Sequence, residues 1–422
     1  MAIWHINGGK RLEGACFVQG SKNAVLPILA ASIVCPTETN LLNVPQLSDV
    51  AVSLRILRQL GCTAEQQEND VYIDSRSLSS NIIPQEMMEC MRSSVLFMGA
   101  LLARCGEVHL TSPGGCKLGA RPIDLHISAM KTLGAEVEER GCEIICRAAG
   151  LRGARIVLPF PSVGATENAM LAACAAQGET VICGAAREPE IVDLQEYLRK
   201  AGAYISGAGT GKITVSGFSA ERHVGHRIIP DRIVASTFLC AAAAAGGDIE
   251  LRGVDSRQFS RLQHFLNSSG CDIIPAKRCV RLISDGRLHS VGKVVTGPYP
   301  EFPTDAQPLL MAALLKAAGR SDFVENMFDS RFGHASELAR FGADISVDGR
   351  CASVWGVRSL RGATVSAADL RGGAAMLIAG LSAEGVSRVI DSGHIVRGHI
   401  VRGYENFDNK LRSLGADIFM EM

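Results

Sequence analysis

The chain has 422 residues, a length that suits two or three domains. Its 43 Lys and Arg residues balance its 43 Asp and Glu residues, so it lacks the basic excess typical of proteins that bind nucleic acid or membrane surfaces. The first residues show no basic region followed by an apolar core, and no apolar run approaches the roughly 20 residues that span a bilayer. We therefore expect a soluble, cytoplasmic protein in which a local cluster of cations holds any anionic ligand.

The 14 cysteines contain no CxxC pair, although such pairs are typical of structural zinc sites. A disulfide framework belongs to small secreted chains, and this chain shows neither feature. We therefore expect no metal site. Most of the cysteines are interpreted as small buried apolar residues, with Cys116 as the exception.

A helix-like stretch that ends in Leu-Gly-Ala or a close variant, followed by a short strand, recurs six times along the chain. The residues before each glycine place apolar side chains at helical spacing, and the glycine is the expected left-handed residue that ends a helix. The residues after each glycine alternate between apolar and polar, as in a strand. The spacing of 68 to 73 residues favours internal repetition over chance and predicts six β/α units in two domains of three, with glycines at Gly61, Gly134, Gly202, Gly270, Gly342 and Gly415.

The first candidate site is Gly20-Ser21-Lys22-Asn23, which precedes an apolar helix starting near Ala24. A lysine and an amide beside the free N–H groups of a helix N-terminus suit an anion. An ordinary helix cap with a solvated lysine is the alternative interpretation.

The second candidate is the loop 111–122, which contains three glycines and two prolines. It places Cys116 between Lys117 and Arg121, whose charges favour the thiolate and raise its reactivity. A glycine-rich loop of this kind also suits a lid that closes over a substrate. The alternative is a surface loop with an incidental thiol.

The third candidate is Asp305, at a predicted strand-to-helix junction. This carboxylate suits two roles, that of a cap for the following helix and that of a general base. A fourth group consists of isolated arginines. Each is typical of a surface residue on its own but also suits phosphate or carboxylate, namely Arg92, Arg331, Arg371 and those near the C-terminus.

Taken together, these motifs resemble the UDP-N-acetylglucosamine 1-carboxyvinyltransferase family of enolpyruvyl transferases over essentially the whole chain. The motifs that carry the resemblance fall in a familiar order. They are GSKNAVLP (20–27), MRSS (91–94), PGGCKLGARPIDLHI (113–127), SVGATEN (162–168), AREPEIV (186–192), PDRI (230–233), FPTDAQ (302–307), ADLR (368–371) and RGYEN (402–406).

The resemblance implies an α/β fold of two domains, each an inside-out barrel of three repeated β/α units. One domain would span residues 22–229 and carry the Cys116 loop. The other would combine residues 1–21 with 230–422 and carry Asp305. The family's pattern further implies an active site in the cleft between the domains, no cofactor, and a monomer that contacts neither nucleic acid nor membrane.

The resemblance also implies transfer of the enolpyruvyl group of phosphoenolpyruvate to the 3-hydroxyl of UDP-N-acetylglucosamine. Phosphate is released, in the first committed step of the peptidoglycan synthesis that underlies cell shape and division. Cys116 would act as general acid toward C3 of phosphoenolpyruvate and be alkylated by fosfomycin, and Asp305 would accept the proton of the sugar hydroxyl. Lys22 and Arg402 would complete the catalytic set at the phosphate. The substrate-binding residues implied, besides Lys22 and Asp305, are Asn23, Arg92, Arg121, Pro122, Ile123, Asp124, Leu125, Ser162, Val163, Gly164, Met327, Arg331, Asp369 and Arg371.

One departure from the family pattern is a tandem repeat: His394-Ile-Val-Arg-Gly398 is followed at once by His399-Ile-Val-Arg-Gly403. Counting from either side makes Arg397 or Arg402 the arginine at the phosphate. Residues 327–337 also fit the family's form only loosely. Two alternatives therefore stay open. One is a weakly active or inactive paralogue that binds UDP-sugar as a regulator. The other is a transferase that uses another acceptor, such as shikimate 3-phosphate or a nucleotide, although the 113–122 loop argues against shikimate 3-phosphate.

Overall fold

The computed structural model describes residues 2–113, 122–218, 223–393 and 398–421. These residues form two compact units. The inserted unit lies within residues 20–229, and the terminal unit combines residues 2–19 with the described part of 230–421. Cys116, Arg121 and Arg397 lie outside the described residues, so their roles stay predictions. No helix in the described ranges is long and apolar enough to cross a membrane.

Each unit is built around three helices that are apolar on almost every side. A helix of this composition must be buried, and these helices form the centres of two separate hydrophobic cores. In the inserted unit they are Lys22–Ala31, Phe97–Cys105 and Val163–Ala173. In the terminal unit they are Arg232–Ala245, Gln307–Ala313 and Leu370–Ser382.

Other helices of the described chain bury one face against these cores. Six of them are followed within three residues by the repeated glycines, whose φ angles of +89° to +110° confirm the predicted left-handed ends. The one-sided α-helices are Ser48–Gln59, Gln85–Cys90, Asp124–Thr132, Pro189–Ala201, Ser260–Ser268, Ala335–Ala339 and Phe407–Ser413. The 3-10 helices are Arg92–Leu96, Ser256–Phe259, Thr304–Ala306, Leu314–Lys316, Arg331–His334 and Ile400–Arg402.

The described strands form open sheets, three in each unit, whose residues alternate between buried and exposed. Five sheets combine one parallel edge pair with an antiparallel hairpin. The inserted unit contains Val224–Arg227, Glu38–Leu42, Asp70–Asp74, Thr63–Gln67; Glu107–Thr111, Glu143–Arg147, Glu136–Arg140; and Arg155–Val157, Thr180–Cys183, Lys212–Phe218, Ala203–Ser206. The terminal unit contains Leu12–Phe17, Gly247–Arg252, Cys279–Ser284, Asp272–Ala276; Gly292–Val295, Arg320–Val324, Cys351–Trp355, Asp344–Asp348; and Thr364–Ala367, Val386–Asp391, Ala2–Asn7, Asp417–Glu421.

Two sheets of the terminal unit are completed by strands from the beginning of the chain. Ala2–Asn7 lies between Val386–Asp391 and Asp417–Glu421 and pairs antiparallel with both. Leu12–Phe17 runs parallel to Gly247–Arg252. The predicted fold class is confirmed: six β/α units in two sets of three, with apolar helices inside and open sheets outside.

The cysteines largely behave as small apolar side chains. Seven of the 13 described cysteines are buried. Burial raises the pKa of the Cys16 and Cys62 thiols to about 11, so these groups stay protonated at neutral pH. Cys105, Cys142 and Cys351 are exposed instead.

Candidate active site

Three acidic residues lie at the beginnings of the buried helices of the terminal unit. Asp231 and Asp369 each cap a helix, accepting hydrogen bonds of 2.9 to 3.0 Å from two backbone N–H groups. Asp305 lies instead within the 3-10 turn Thr304–Ala306, and Ala306 takes the N-cap position of the next helix. The interpretation of Asp305 as a simple helix cap is therefore wrong.

The carboxylate of Asp305 contacts two buried guanidinium groups. Its Oδ1 accepts a hydrogen bond from Nη2 of Arg331 at 3.2 Å, and its Oδ2 accepts one from Nε of Arg371 at 3.3 Å. The Asp305 side chain is 31% exposed, whereas those of Arg331 and Arg371 are 1% and 3% exposed. The surface interpretation of these two arginines is therefore wrong. The result is an accessible carboxylate with buried cations behind it.

Arg331 is fixed from several directions. Its Nε and Nη2 donate to the backbone oxygen of Thr304 at 3.2 and 3.0 Å, and its Nη1 lies 3.7 Å from Oδ1 of Asp369. Its own backbone oxygen accepts a hydrogen bond of 3.1 Å from Nδ1 of His334. Burial lowers the pKa of His334 to about 4, with Asp369 opposing and Arg331 adding to the shift. His334 is therefore neutral at pH 7 and adds no third cation.

Arg371 keeps unused hydrogen-bonding capacity. Its central carbon lies 5.4 Å from the ring centre of Tyr404, and the Tyr404 hydroxyl lies 2.8 Å from Oγ1 of Thr237. Within the described part of the chain, its Nη1 has no hydrogen-bond partner. Although burial opposes the charge, Tyr404 and the carboxylate of Asp305 raise the pKa of Arg371 above its usual value. A charged guanidinium with a spare donor is suited to a carboxylate or phosphate.

The second copy of the tandem repeat joins the described structure. The carboxylate of Asp391 accepts hydrogen bonds from the backbone N–H groups of His399 and Ile400. Gly398 has φ +101°, and a Cβ at that position would lie 2.4 Å from Asp391, so a glycine is required there. Arg402 follows in the 3-10 helix Ile400–Arg402 and is half-buried. Arg397 lies outside the described residues, so the choice between the two arginines stays a prediction.

Met327 lies elsewhere in the terminal unit and is half-buried. The buried carboxylate of Glu325 accepts hydrogen bonds from the N–H of Met327 at 2.8 Å and from the hydroxyl of Thr304 at 3.0 Å. Glu325 therefore ties the segment of Met327 to the turn that carries Asp305.

In the inserted unit, Lys22 is the first residue of its helix and forms an ion pair. Its Nζ lies 2.7 Å from Oδ2 of Asp49, and the two side chains are only 11% and 5% exposed. Ser21 makes no side-chain cap hydrogen bond. The alternative of an ordinary cap with a solvated lysine is therefore wrong. Asn23, the next residue, is exposed.

Replacing Asp49 by asparagine is expected to reduce the free energy of unfolding by about 3 kcal/mol, because it leaves the buried ammonium of Lys22 without a countercharge. Denaturant unfolding would measure the change. The double variant Lys22→Met/Asp49→Leu serves as the control and should be less destabilised than the sum of its single changes. Additive effects would show that the pair contributes nothing beyond its separate parts.

The other predicted residues of the inserted unit come together around two helix N-termini. Arg92 donates from Nη2 to the backbone oxygen of Pro122 at 3.2 Å. Ser162 caps the helix Val163–Ala173, and Gly164 lies against the imidazole of His126. The structure thus gathers Arg92, the 122–125 segment and the 162–164 segment. A depression of about 680 Å³ begins at Pro122, Ile123 and Asp124 and continues along the helix Asp124–Thr132.

The pH dependence of stability should report the environment of His126. Burial, with the charge of Arg92 adding to it and Asp124 opposing, lowers the pKa of His126 to about 4. Unfolded chains bind the proton below pH 6.5 and the folded state does not, so this group destabilises the fold progressively from pH 6.5 down to about 4. His126→Gln cannot titrate and is therefore expected to gain stability relative to wild type in that window. The gain should be up to about 1.4 kcal/mol per pH unit in denaturant unfolding, and a constant difference would contradict the shift.

Several neighbours of the predicted residues were not foreseen, notably Asp49, His126, Asn168 and Tyr404. For Asn168 a signal existed, since it is a polar residue inside an otherwise apolar helix. Asp49 resembles an ordinary residue of a first helical turn, and its partner lies elsewhere in the chain.

The chain is similar to known proteins along nearly its whole length. The family model for EPSP synthase (3-phosphoshikimate 1-carboxyvinyltransferase) matches residues 6–411. A protein of Caldanaerobacter subterraneus subsp. tengcongensis named UDP-N-acetylglucosamine 1-carboxyvinyltransferase 2 is 45% identical over 418 residues, 99% of each chain. A protein of Trichlorobacter lovleyi named UDP-N-acetylglucosamine 1-carboxyvinyltransferase is 44% identical over 414 residues, which cover 98% of this chain and 97% of the relative.

Solved structures show the same fold. The enolpyruvyl transferase NikO of Streptomyces tendae superposes with a TM-score of 0.89 at 24% identity, covering 99% of this chain and 98% of that one. EPSP synthase of Acinetobacter baumannii superposes with a TM-score of 0.76 at 18% identity, covering 100% of both chains.

Proposed function

We propose that this chain, which belongs to the EPSP synthase family of enolpyruvyl transferases, moves the enolpyruvyl group of phosphoenolpyruvate onto the 3-hydroxyl of UDP-N-acetylglucosamine and releases phosphate. This is the first committed step of peptidoglycan synthesis. The family membership predicted from the sequence is confirmed by relatives at 44 and 45% identity. The observation that carries the proposal is the accessible carboxylate of Asp305 in front of the buried guanidinium groups of Arg331 and Arg371.

Asp305 supplies the base. The sugar hydroxyl attacks C2 of phosphoenolpyruvate only as it loses its proton, and an accessible carboxylate can receive that proton. The equivalent carboxylates Asp231 and Asp369 are occupied by backbone N–H groups. Asp305 is held through its arginine contacts, with a third of its surface open to a substrate.

Cations of the terminal unit supply the electrostatic stabilisation. Phosphoenolpyruvate carries a carboxylate and a phosphate, and charge remains on both as the tetrahedral intermediate forms. The spare Nη1 of Arg371 suits the carboxylate, with Arg331 beside it and Asp369 fixing Arg331. Arg402 is assigned to the phosphate, because the second copy of the repeat places it directly before the Gly403-Tyr404 pair.

Cys116 is assigned the acid role. A proton must reach C3 as the hydroxyl adds to C2, and a thiol beside Lys117 and Arg121 can deliver it. Loss of a C3 proton and departure of phosphate then regenerate the double bond. This assignment rests on the sequence motif, and it predicts alkylation by fosfomycin.

The inserted unit is assigned to the UDP-sugar. The 122–125 and 162–164 segments present helix N-termini, and Arg92 lies beside Pro122. Lys22 and Asn23 are assigned to anionic oxygens at the beginning of their helix, and Met327 of the terminal unit is assigned to the sugar. We further infer a cytoplasmic monomer, since each assigned residue comes from a single chain. Size-exclusion chromatography with light scattering would test the monomer.

Phosphate release by the purified protein tests the function. Release is expected only when phosphoenolpyruvate and UDP-N-acetylglucosamine are both present. Fosfomycin and the Cys116→Ala change should each abolish it. Release with shikimate 3-phosphate in place of the UDP-sugar would favour another acceptor. Binding of UDP-N-acetylglucosamine without any release would favour the inactive paralogue.

A further inference from the structure

Asn168 occupies a fully buried position in the helix Val163–Ala173, where its hydrogen bonds fix its orientation. Its Oδ1 accepts a bond of 2.8 Å from the N–H of Gly99, and its Nδ2 donates to the backbone oxygen of Val95 at 2.9 Å. A backbone N–H can only donate and a carbonyl can only accept, so the amide cannot be flipped. The second hydrogen of Nδ2 therefore points to Nδ1 of His126, 2.7 Å away.

This contact determines the tautomer of His126. Since Nδ2 of Asn168 donates, Nδ1 of His126 must accept, and the single proton of the neutral ring resides on Nε2. A doubly protonated ring would place two donors opposite each other at 2.7 Å. Burial and the charge of Arg92 also oppose that form, and they lower the pKa of His126 to about 4. At neutral pH, Nε2–H is a fixed, uncharged donor.

The Nε2 edge of the ring lies against the segment assigned to the UDP-sugar. A Cβ on Gly164 would lie 3.0 Å from Cε1 and 3.3 Å from Nε2 of His126, so a glycine there makes room for the imidazole. His126 is 6% exposed and directly follows the 122–125 segment. No described residue forms a hydrogen bond with Nε2. An oriented donor without a protein partner, more than nine-tenths buried and flanked by both assigned segments, points to a ligand.

We infer that His126 is a further binding residue for the UDP-sugar, which donates a hydrogen bond from Nε2–H to an oxygen of the nucleotide sugar, and that Asn168 is the positioning residue that sets its tautomer. The inference rests on the proposed function for the identity of the ligand. A neutral donor adds directionality without adding to the charge of Arg92. Such a group discriminates by geometry, because an acceptor elsewhere leaves the buried Nε2–H without a partner.

Two variants of His126 separate donation from packing. Asparagine reaches the Nδ1 position and keeps the contact with Asn168, but it has no group at the Nε2 position. Glutamine can place an amide N–H near Nε2. His126→Asn is expected to weaken binding of UDP-N-acetylglucosamine roughly 3- to 10-fold in calorimetric titration of the enzyme, and His126→Gln is expected to recover most of that loss. The KM for phosphoenolpyruvate should be unchanged in both variants.

The tautomer can be tested in the unaltered protein, so the inference survives a variant that fails to fold. Nitrogen-15 NMR of histidine-labelled enzyme should show His126 with its proton on Nε2, and this signal should shift on addition of UDP-N-acetylglucosamine. A proton on Nδ1, or an Nε2 signal that ignores the saturating nucleotide sugar, would overturn the inference. So would wild-type affinity in a folded His126→Asn variant. Failure of the proposed function would be recognised separately, by absence of phosphate release from the wild-type enzyme.

Discussion

Replacing Asp305 by asparagine is expected to lower kcat about 10²- to 10⁴-fold, the loss typical of removing a general base. Asparagine has almost the same shape and keeps an oxygen for Arg331 or Arg371, but it does not take a proton from an alcohol at neutral pH. The KM for phosphoenolpyruvate should change much less than kcat, because both arginines remain to hold the anion. Initial rates of phosphate release, measured over ranges of both substrates, would separate the two constants.

A surface carboxylate provides the matched control for this change. Asp248 also forms a charged hydrogen bond with an arginine, Arg281, but on an exposed strand pair of the outer sheet. Asp248→Asn removes the same charge and is expected to leave kcat within about twofold of wild type, since exposed ion pairs contribute little. If Asp305→Asn kept more than a tenth of the wild-type kcat, another group would have to accept the hydroxyl proton.

The features that sequence predicted well are those with local causes. A helix that ends in a left-handed residue needs glycine whatever lies around it, and the six repeated glycines all have positive φ angles. The apolar buried helices are equally a consequence of local composition, because a helix without a polar face has no stable position at a surface. The regular spacing of these signals then predicts six units of similar length.

The environments of the charged residues depend on partners distant in the chain, and here sequence was a weaker guide. Asp305 meets Arg331 and Arg371, which lie 26 and 66 residues further along the chain. A helix cap and a general base have the same local pattern, since an acidic residue before an apolar helix serves both. Only the fold, which places Ala306 at the cap position, separates the two.

Strand pairing at the beginning of the chain is similarly non-local. The alternation of Trp4 and Ile6 indicates a strand, but nothing in that pattern indicates that it lies between Val386–Asp391 and Asp417–Glu421. The same limit applies to Lys22, whose ion pair with Asp49 replaces the solvated side chain that a lysine normally presents. The roles of Cys116 and Arg121 stay predictions, because they lie outside the residues that the structure describes.

Replacing Arg371 by lysine is expected to lower kcat/KM for phosphoenolpyruvate about 100-fold, even though the positive charge is kept. A guanidinium can bond to Asp305 through Nε and still present Nη1 to a second anion, whereas an ammonium is a point charge on a shorter reach. Losing one or two charge-assisted hydrogen bonds accounts for a change of this size. Steady-state rates at saturating UDP-N-acetylglucosamine would measure it.

Tyr404→Phe distinguishes the fork of Arg371 from its support. This change keeps a ring at 5.4 Å from the guanidinium carbon and removes only the hydroxyl that contacts Thr237 at 2.8 Å. We expect a loss of at most about tenfold, since one neutral hydrogen bond is involved. An Arg371→Lys enzyme with wild-type kcat/KM would show that charge alone suffices at this position. A Tyr404→Phe enzyme as impaired as Arg371→Lys would show that the hydroxyl, rather than the ring, holds the guanidinium in place.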